Sequence, residues 1–352
     1  MALHSGIGVM SGTSLDGIDF CHVTFDRKNE KWNYRIICAE SEPYPSEMKE
    51  KLNNAHNLSA FEYAKLHSDY GAYLGSKIDA FIHRNNAKPS FIACHGQTIF
   101  HQPQIGLTSQ IGSGACIAAA TGIDTVCDFR TTDVALCGQG APLVPIGDRQ
   151  LFGDYEYCLN LGGFSNISFE DGVTRRAYDI CPVNYVLNSY MRSIGKDYDK
   201  DGELARSGKI RPELLERLNA LPFFSQSGPK SLGREWVESE VFPLIDSYEI
   251  PLQDKLRTFC EHVAMQISAN AKRGRVLVTG GGAHNKFLME RFRTVSPQCE
   301  YVVPDDLTVD FKEALIFAFL GALYIEDIPN CVSSVTGASR DCIGGCLYKG
   351  TR

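Results

Sequence analysis

The stretch Gly6-Ile7-Gly8-Val9-Met10-Ser11-Gly12-Thr13-Ser14-Leu15-Asp16-Gly17-Ile18-Asp19-Phe20-Cys21-His22-Val23-Thr24-Phe25 decides how this chain is read. A short apolar run ends in a Ser-Gly-Thr-Ser turn. A loosely alternating segment rich in β formers follows from Ile18 to Phe25. The charged turn Asp26 to Lys31 then leads to a third strand at Tyr34 to Ala39. The expected opening is therefore strand, turn, strand, turn, strand. A dinucleotide-binding unit needs its glycine turn to open a helix; this one opens another strand.

The same order returns in the second half. A strand at Glu156 to Leu161 runs into Gly162-Gly163, Ile167 to Phe169 leads out, and the turn Glu170-Asp171-Gly172 precedes a strand at Val173 to Tyr178. Residue identity between the halves is low, so the repeat is one of topology. Two such α/β halves predict a cleft lined by both glycine turns. We place a domain boundary after residue 145, giving domains 1–145 and 146–352, with the segment 196–235, rich in charge, Gly and Pro, as an insertion or lid. Helices are expected at 46–55, 59–83, 112–120, 252–271 and 311–324. The second starts with capping-box spacing, Ser59 and Glu62, and Phe61, Ala64, Leu66, Tyr70, Tyr73 and Leu74 can share a face. Asn285 can cap the helix that follows the strand Val276 to Val278.

Composition bounds the function. Of 352 residues, 43% are hydrophobic and 22% charged, which is ordinary for a globular protein and excludes global disorder. The net charge of -7 and the absence of a dense Lys/Arg run argue against a nucleic-acid partner. The N-terminus does not read as a signal peptide, and the most apolar late segment, Ala314 to Tyr324, is too short to cross a bilayer. A soluble protein with no membrane partner is expected. The 13 cysteines are scattered in apolar settings, and most of them read as reduced core residues. Cys342 and Cys346 form one loose pair without the second pair that a zinc site would need.

Three glycine turns carry the chemistry. Ser11 to Gly17 offers Thr and Ser hydroxyls beside backbone donors, with Asp16 or Asp19 able to approach a magnesium ion; a plain hairpin turn is the alternative. Gly162-Gly163 is weak alone. Thr279-Gly280-Gly281-Gly282 follows a short strand and implies either close packing or a ligand against the backbone. No Walker loop is present: the nearest string, Gly202 to Gly208-Lys209, has wrong glycine spacing and Ile210 where a hydroxyl is needed. Nucleophile-elbow and His-Glu-x-x-His motifs are also absent. Phosphorylation of an acceptor wants a fixed carboxylate, and Asp179 stands at a strand end before a helix expected from Pro182. N-capping or turn formation is its plainer role, and Asp128, Asp133, Asp197, Asp199 and Asp201 compete with it by composition. Arg130 and Asp133 can bracket a polar substrate, with Arg130 gripping a carboxylate bidentately, or can form a local salt bridge. His95 and Gln97 can donate to sugar oxygens, or His95 can be a satisfied core residue.

Taken together the chain closely resembles the anhydro-N-acetylmuramic acid kinase family. The resemblance rests on Gly8 to Asp19, Cys94 to Ile99, Asp128 to Ala135, Gly138 to Pro145, Asn160 to Ile167, Asp199 to Gly202, Pro229 to Glu235, Gly280 to Asn285, Lys312 to Ala314 and Ser334 to Ala338. It implies an α/β fold of two actin/hexokinase-like (ribonuclease H-like) domains around a nucleotide cleft. It also implies a cytoplasmic homodimer that uses ATP and Mg2+ on an anhydro-sugar in peptidoglycan recycling. By this resemblance Asp179 is the base that activates water. Gly12, Thr13, Ser14, Leu15, Asp16, Gly17, Ile18 and Asp19, with Gly162 and Gly163, meet the ATP phosphates. Gly280, Gly281 and Gly282 approach the adenosine part, while His95, Gln97, Arg130, Asp133 and Glu313 lie on the sugar side. One departure stands out. The family commonly has Asp-Thr-Gly-Pro-Gly-Asn around the base, where this chain has Asp179-Ile180-Cys181-Pro182-Val183-Asn184. The resemblance implies conversion of 1,6-anhydro-N-acetylmuramic acid and water to N-acetylmuramic acid 6-phosphate. The departure opens the alternative of a kinase for a different anhydro-sugar or hydroxylated sugar, and an ATP-binding actin-like scaffold or sensor is the non-enzymatic alternative.

Overall fold

The computed structural model describes residues 3–12, 14–228 and 230–351; Thr13, expected at the phosphates, falls outside them. The chain forms two compact units, Met1–Leu151 with Phe311–Arg352, and Phe152–Asp310.

In the first unit the expected opening is present as β1 (His4–Ser11), β2 (Gly17–Lys28) and β3 (Lys31–Pro43). Then come β4 (Phe91–Cys94), the small hairpin β5 (Gln97–Gln102) and β6 (Leu107–Ile111), and β7 (Asp124–Cys127). The second unit holds β8 (Tyr157–Leu161), β9 (Phe164–Asp171), β10 (Thr174–Pro182), β11 (Gly274–Thr279) and β12 (Cys299–Val302). A last strand, β13 (Cys346–Tyr348), returns to the first sheet beside β7.

The two main sheets run β13-β7-β4-β1-β2-β3 and β10-β9-β8-β11-β12. Without β13 they have the same order and the same senses. Three antiparallel strands, β1 to β3 or β8 to β10, are extended by two parallel ones, β4 and β7 or β11 and β12. The repeat expected from the sequence is therefore a repeat of sheet topology. Each unit is an actin/hexokinase-like, ribonuclease H-like α/β domain.

Local rules hold in most places. Ser59 caps the Ala60–Asn85 helix through a complete capping box with Glu62, and Asn285 caps Lys286–Val295 through the Leu288 N–H. The buried stripe of the long helix lies further along than the pattern implied. Leu66, Tyr70, Leu74, Ile78 and Phe81 are buried, whereas Phe61 is 80% exposed. The expected 196–235 insertion forms short helices, and its Ala205, Leu214 and Leu218 belong to the same buried cluster as Leu159, Ile180 and Phe259.

The domain boundaries need a correction. The first break, after Leu151, lies close to the expected one, but residues 311–352 were expected in the second domain and pack in the first. The reason is the Asp306–Ile325 helix, whose later turns lie against β1 and β4. A Cβ at Gly8 would sit 1.8 Å from the Ala314 carbonyl oxygen, and one at Gly321 2.7 Å from the Ala93 Cβ. The two backbones approach so closely that only small residues fit between them. Phe319 then packs on Phe25 and Trp32, and Phe317 on Phe129 and His95. Lys312 and Asp148 form a buried ion pair at 2.7 Å, which satisfies two charges that would be costly to bury singly.

Gly8→Val should therefore destabilise the chain by about 3 kcal/mol, whereas Gly12→Ala, whose added carbon would meet nothing closer than Ser14 Oγ at 3.6 Å, should leave stability unchanged. Urea denaturation checks both; matching midpoints for Gly8→Val and the parent would refute the contact's importance.

Candidate active site

The turn after β1 rests on a buried column of hydroxyls. Tyr44 and Tyr70 share a hydrogen bond at 2.5 Å, Tyr70 donates to Ser11 Oγ at 3.1 Å, and Ser11 Oγ donates to the Gly96 carbonyl at 2.8 Å. Burial pushes the Tyr44 phenol up to about 12 and raises the Tyr70 phenol well above its usual range, so both stay neutral donors. Gln97 Nε2 donates to the Gly12 carbonyl at 3.3 Å, and the Tyr44 N–H reaches the Asp16 carbonyl at 3.4 Å. The loop is thus held from beneath while Ser14 and Asp16 face solvent. Not every residue expected here presents a side chain. Ile18 is wholly buried, so only its backbone can meet a ligand. Leu15 takes the left-handed conformation, φ 57°, as the turn closes on Gly12. Asp19 accepts from Ser41 Oγ at 2.5 Å.

In the second unit Gly162-Gly163 joins β8 to β9, and Gly280–Gly282 follows β11, its parallel neighbour. Both turns stand at the carboxyl ends of their strands, where open α/β sheets bind ligands. The Gly162 and Gly163 carbonyls accept the Asn184, Val183 and Tyr185 N–H groups at the start of the Asn184–Arg192 helix.

The glycines divide into two kinds. Gly17, Gly280 and Gly282 are required by packing, since an added Cβ would come within 2.4 to 2.7 Å of Glu42 O, Asn160 Oδ1 and Leu161 Cβ. Gly280 also has φ 82°. Gly12, Gly162, Gly163 and Gly281 have ordinary φ, and their nearest such contacts are 3.4 to 3.9 Å. No contact among the described residues demands glycine at these four. Space is what they leave, and space beside backbone N–H groups is what a phosphate needs. Of the two readings left open for Gly280–Gly282, close packing holds at Gly280 and Gly282, while Gly281 borders open space.

Asp179 lies on β10, beside an irregularity in its pairing with β9 between Asp179 and Cys181. It does not cap a helix. Oδ2 accepts the Leu232 N–H at 2.9 Å and the Ser231 hydroxyl at 3.4 Å, while Oδ1 has no partner among the described residues. Burial raises the carboxyl above its usual range, opposed by those two hydrogen bonds. One oxygen is fixed and the other is open, the arrangement a general base requires. Ser231 and Leu232 belong to the Pro229 to Glu235 motif, which carried the resemblance without an assigned role. Lys230 fastens this strip by donating to the Phe223 and Gln226 carbonyls, both at 3.1 Å. The three departures around Asp179 point inward: Ile180, Cys181 and Val183 are each at most 1% exposed and sit in the core.

In the first unit, Arg130 and His95 come together. Arg130 Nε and Nη2 donate to His95 Nε2 at 3.0 and 2.9 Å, and Nη1 donates to the Gly140 carbonyl at 2.6 Å. An arginine only donates, so Nε2 must carry the lone pair, and Nδ1–H bonds the Gly96 carbonyl at 2.8 Å. His95 is neutral: burial, with Arg130 adding, pushes it down to about 3. Arg130 is lowered by burial to about 10 and keeps its charge. Two of its five N–H groups remain for a ligand. Asp133 does not join it. Wholly buried, its carboxylate accepts the Gly140 N–H and the Thr336 hydroxyl, each at 2.7 Å. Glu313 is solvent-exposed at the helix, yet surrounding protein raises its carboxyl, with Asp19 adding repulsion. Gln97 is buried, and its Oε1 has no partner among the described residues.

The profile of the family described as anhydro-N-acetylmuramic acid kinase matches residues 4–350. Proteins bearing that name from Vibrio parahaemolyticus, Pseudomonas syringae pv. tomato and Mannheimia succiniciproducens are each 36% identical. The alignments cover 97% of this chain and 97 to 98% of theirs. Among solved structures, the activator of the 2-hydroxyisocaproyl-CoA dehydratase from Clostridium difficile, with bound ADPNP, is similar over 92% of this chain and 97% of its own, at 15% identity and a TM-score of 0.43. With the matched profile spanning almost every residue and relatives aligned end to end, the chain belongs to the anhydro-N-acetylmuramic acid kinase family.

Proposed function

We propose that this chain is an ATP-dependent kinase that opens 1,6-anhydro-N-acetylmuramic acid with water and phosphorylates it, releasing N-acetylmuramic acid 6-phosphate and ADP, in peptidoglycan recycling. The observation that carries this is Asp179, with one carboxylate oxygen fixed and the other free, in a chain of this family. Water gives a proton to Asp179 Oδ1 and attacks the anomeric carbon. The C1–O6 bond breaks, O6 takes the γ-phosphoryl group, ADP leaves, and the proton later passes to solvent. Phosphoryl transfer asks the protein mainly for positioning and charge stabilisation. Gly12, Gly162, Gly163 and Gly281 supply room at the backbone for the nucleotide.

Magnesium would enter with the nucleotide. Asp19 and Glu313 fit it best, because their mutual repulsion is relieved by a cation. Arg130, oriented by His95, offers its two remaining N–H groups to the sugar's carboxylate. The cytoplasmic homodimer belongs to the same reading. It draws on family membership, and no described helix is long and apolar enough to cross a membrane. The alternative, a kinase for a different anhydro-sugar or hydroxylated sugar, draws on Ile180, Cys181 and Val183, whose side chains are buried.

In oxygen-18 water, the product should carry heavy oxygen on C1 and phosphate on O6; mass spectrometry reporting the label on phosphate instead would end this mechanism. Asp179→Asn should keep ATP affinity and lose about 10²–10⁴ in turnover. Because burial raises the Asp179 pKa, kcat/KM should fall with decreasing pH as the base protonates, at a pH above the ordinary 3.8; an acid limb at or below that value would contradict it. Arg130→Lys should raise KM for the sugar by about 10-fold or more and leave that for ATP near the parent value, as initial rates would report.

A further inference from the structure

Cys331 and Cys342 face each other across an isolated antiparallel bridge in the first unit. They exchange both backbone hydrogen bonds, at 3.1 and 3.3 Å. Residues paired this way have Cα atoms about 5.5 Å apart, inside the window of about 4.4–6.8 Å that a disulfide spans. The two Sγ atoms and an Asp133 carboxylate oxygen all lie within 4.8 Å of one another. Cys331, Cys342 and Asp133 are 2%, 8% and 0% exposed. The chain between the cysteines makes a short excursion through the Ser333–Thr336 helix, whose Thr336 hydroxyl bonds Asp133. The pair suggested by sequence spacing, Cys342 with Cys346, is not the one formed: Cys346 is opposite Cys127 on β7.

Three such ligands invite a metal, but the details disfavour one. A closed zinc site takes about four ligands; only three groups gather here among the described residues, and both Asp133 oxygens already accept hydrogen bonds. Two thiols already opposed need only a two-electron oxidant. We propose that Cys331 and Cys342 are an oxidisable dithiol, closed to an intramolecular disulfide by hydrogen peroxide. The disulfide fastens the excursion that holds Asp133.

Cys342 is the more open of the two, and a hydrogen bond from Cys331 pushes its thiol down while Cys331 is pushed up. It is the attacking thiolate. Its sulfur takes one peroxide oxygen as the O–O bond breaks. A sulfenic acid forms, and the departing hydroxide recovers the thiol's proton as water. The Cys331 sulfur then attacks the sulfenyl sulfur. The S–O bond breaks, and the second hydroxide leaves as water with the Cys331 proton. Two thiols lose two electrons, and peroxide is reduced to two waters.

The test uses the full chain, exposed to peroxide, alkylated and digested with trypsin. Arg340 separates the two cysteines, so peptides 313–340 and 341–349 stay joined only through a disulfide. The linked pair should appear, with fragmentation placing the bond on Cys342, and disappear with reductant. It should survive Cys346→Ser and be lost in Cys331→Ser and Cys342→Ser. The oxidised parent should melt several degrees higher than the reduced one. Oxidation confined to the exposed Cys137 and Cys346, a link through Cys346, or sulfinic acid at Cys342 with Cys331 still alkylated would each overturn the proposal. If the serine variants fail to fold, the fragment spectrum of the parent alone decides.

Discussion

Backbone pressed against backbone, where β1 meets the Asp306–Ile325 helix, is the contact on which the first unit depends. A glycine at position 8 lets the helix settle within reach of the sheet's own main chain. Everything carried by that helix is then fixed in register. Glu313 is set near Asp19, Phe317 lies against the His95 ring, and Lys312 is buried with Asp148. His95 in turn holds the Arg130 guanidinium by two of its donors. A packing constraint between two main chains, one residue along from Glu313, thus governs the electrostatics of the candidate sugar side. It also explains why the last part of the chain returns to the first unit, since the interior face of β1 needs a cover of small residues.

Conformational freedom alone does not explain this chain's glycines. Gly17, Gly280 and Gly282 are locked by neighbours, whereas Gly12, Gly162, Gly163 and Gly281 border open space. The second group follows the first strand or its parallel neighbour in one or the other of two sheets with the same topology. Duplication of the fold has duplicated the place where a strand ends in a small residue. Beneath the first such turn lies the Tyr44–Tyr70–Ser11 column, whose members are kept neutral by burial. A neutral hydroxyl chain can hold a loop rigid without adding negative charge beneath an anionic ligand.

Much of this was legible along the chain. Alternation, charged turns and glycine punctuation marked the three opening strands of each half, because those signals arise between near neighbours. Capping by Ser59 and Asn285 was legible for the same reason. Asp179, the glycine turns and the Arg130 segment were picked out by motif, and the resemblance joined them into one family. Less visible was what each side chain touches. Arg130 and Asp133, three residues apart, do not pair with each other: both bond the Gly140 backbone, and beyond it Arg130 turns to His95 and Asp133 to Thr336, while the altered residues after Asp179 point to the core rather than outward.

The order of residues by itself determined the duplicated α/β topology, the family and the polar groups available for chemistry, since periodicity and motif are properties of neighbouring positions. Only the tertiary structure decided that residues 311–352 complete the first unit, which glycines are free, and that Cys331 rather than Cys346 faces Cys342. Those outcomes turn on which distant surfaces meet and how closely. Such distances are set by the packing of whole elements, and no local run of residues contains them.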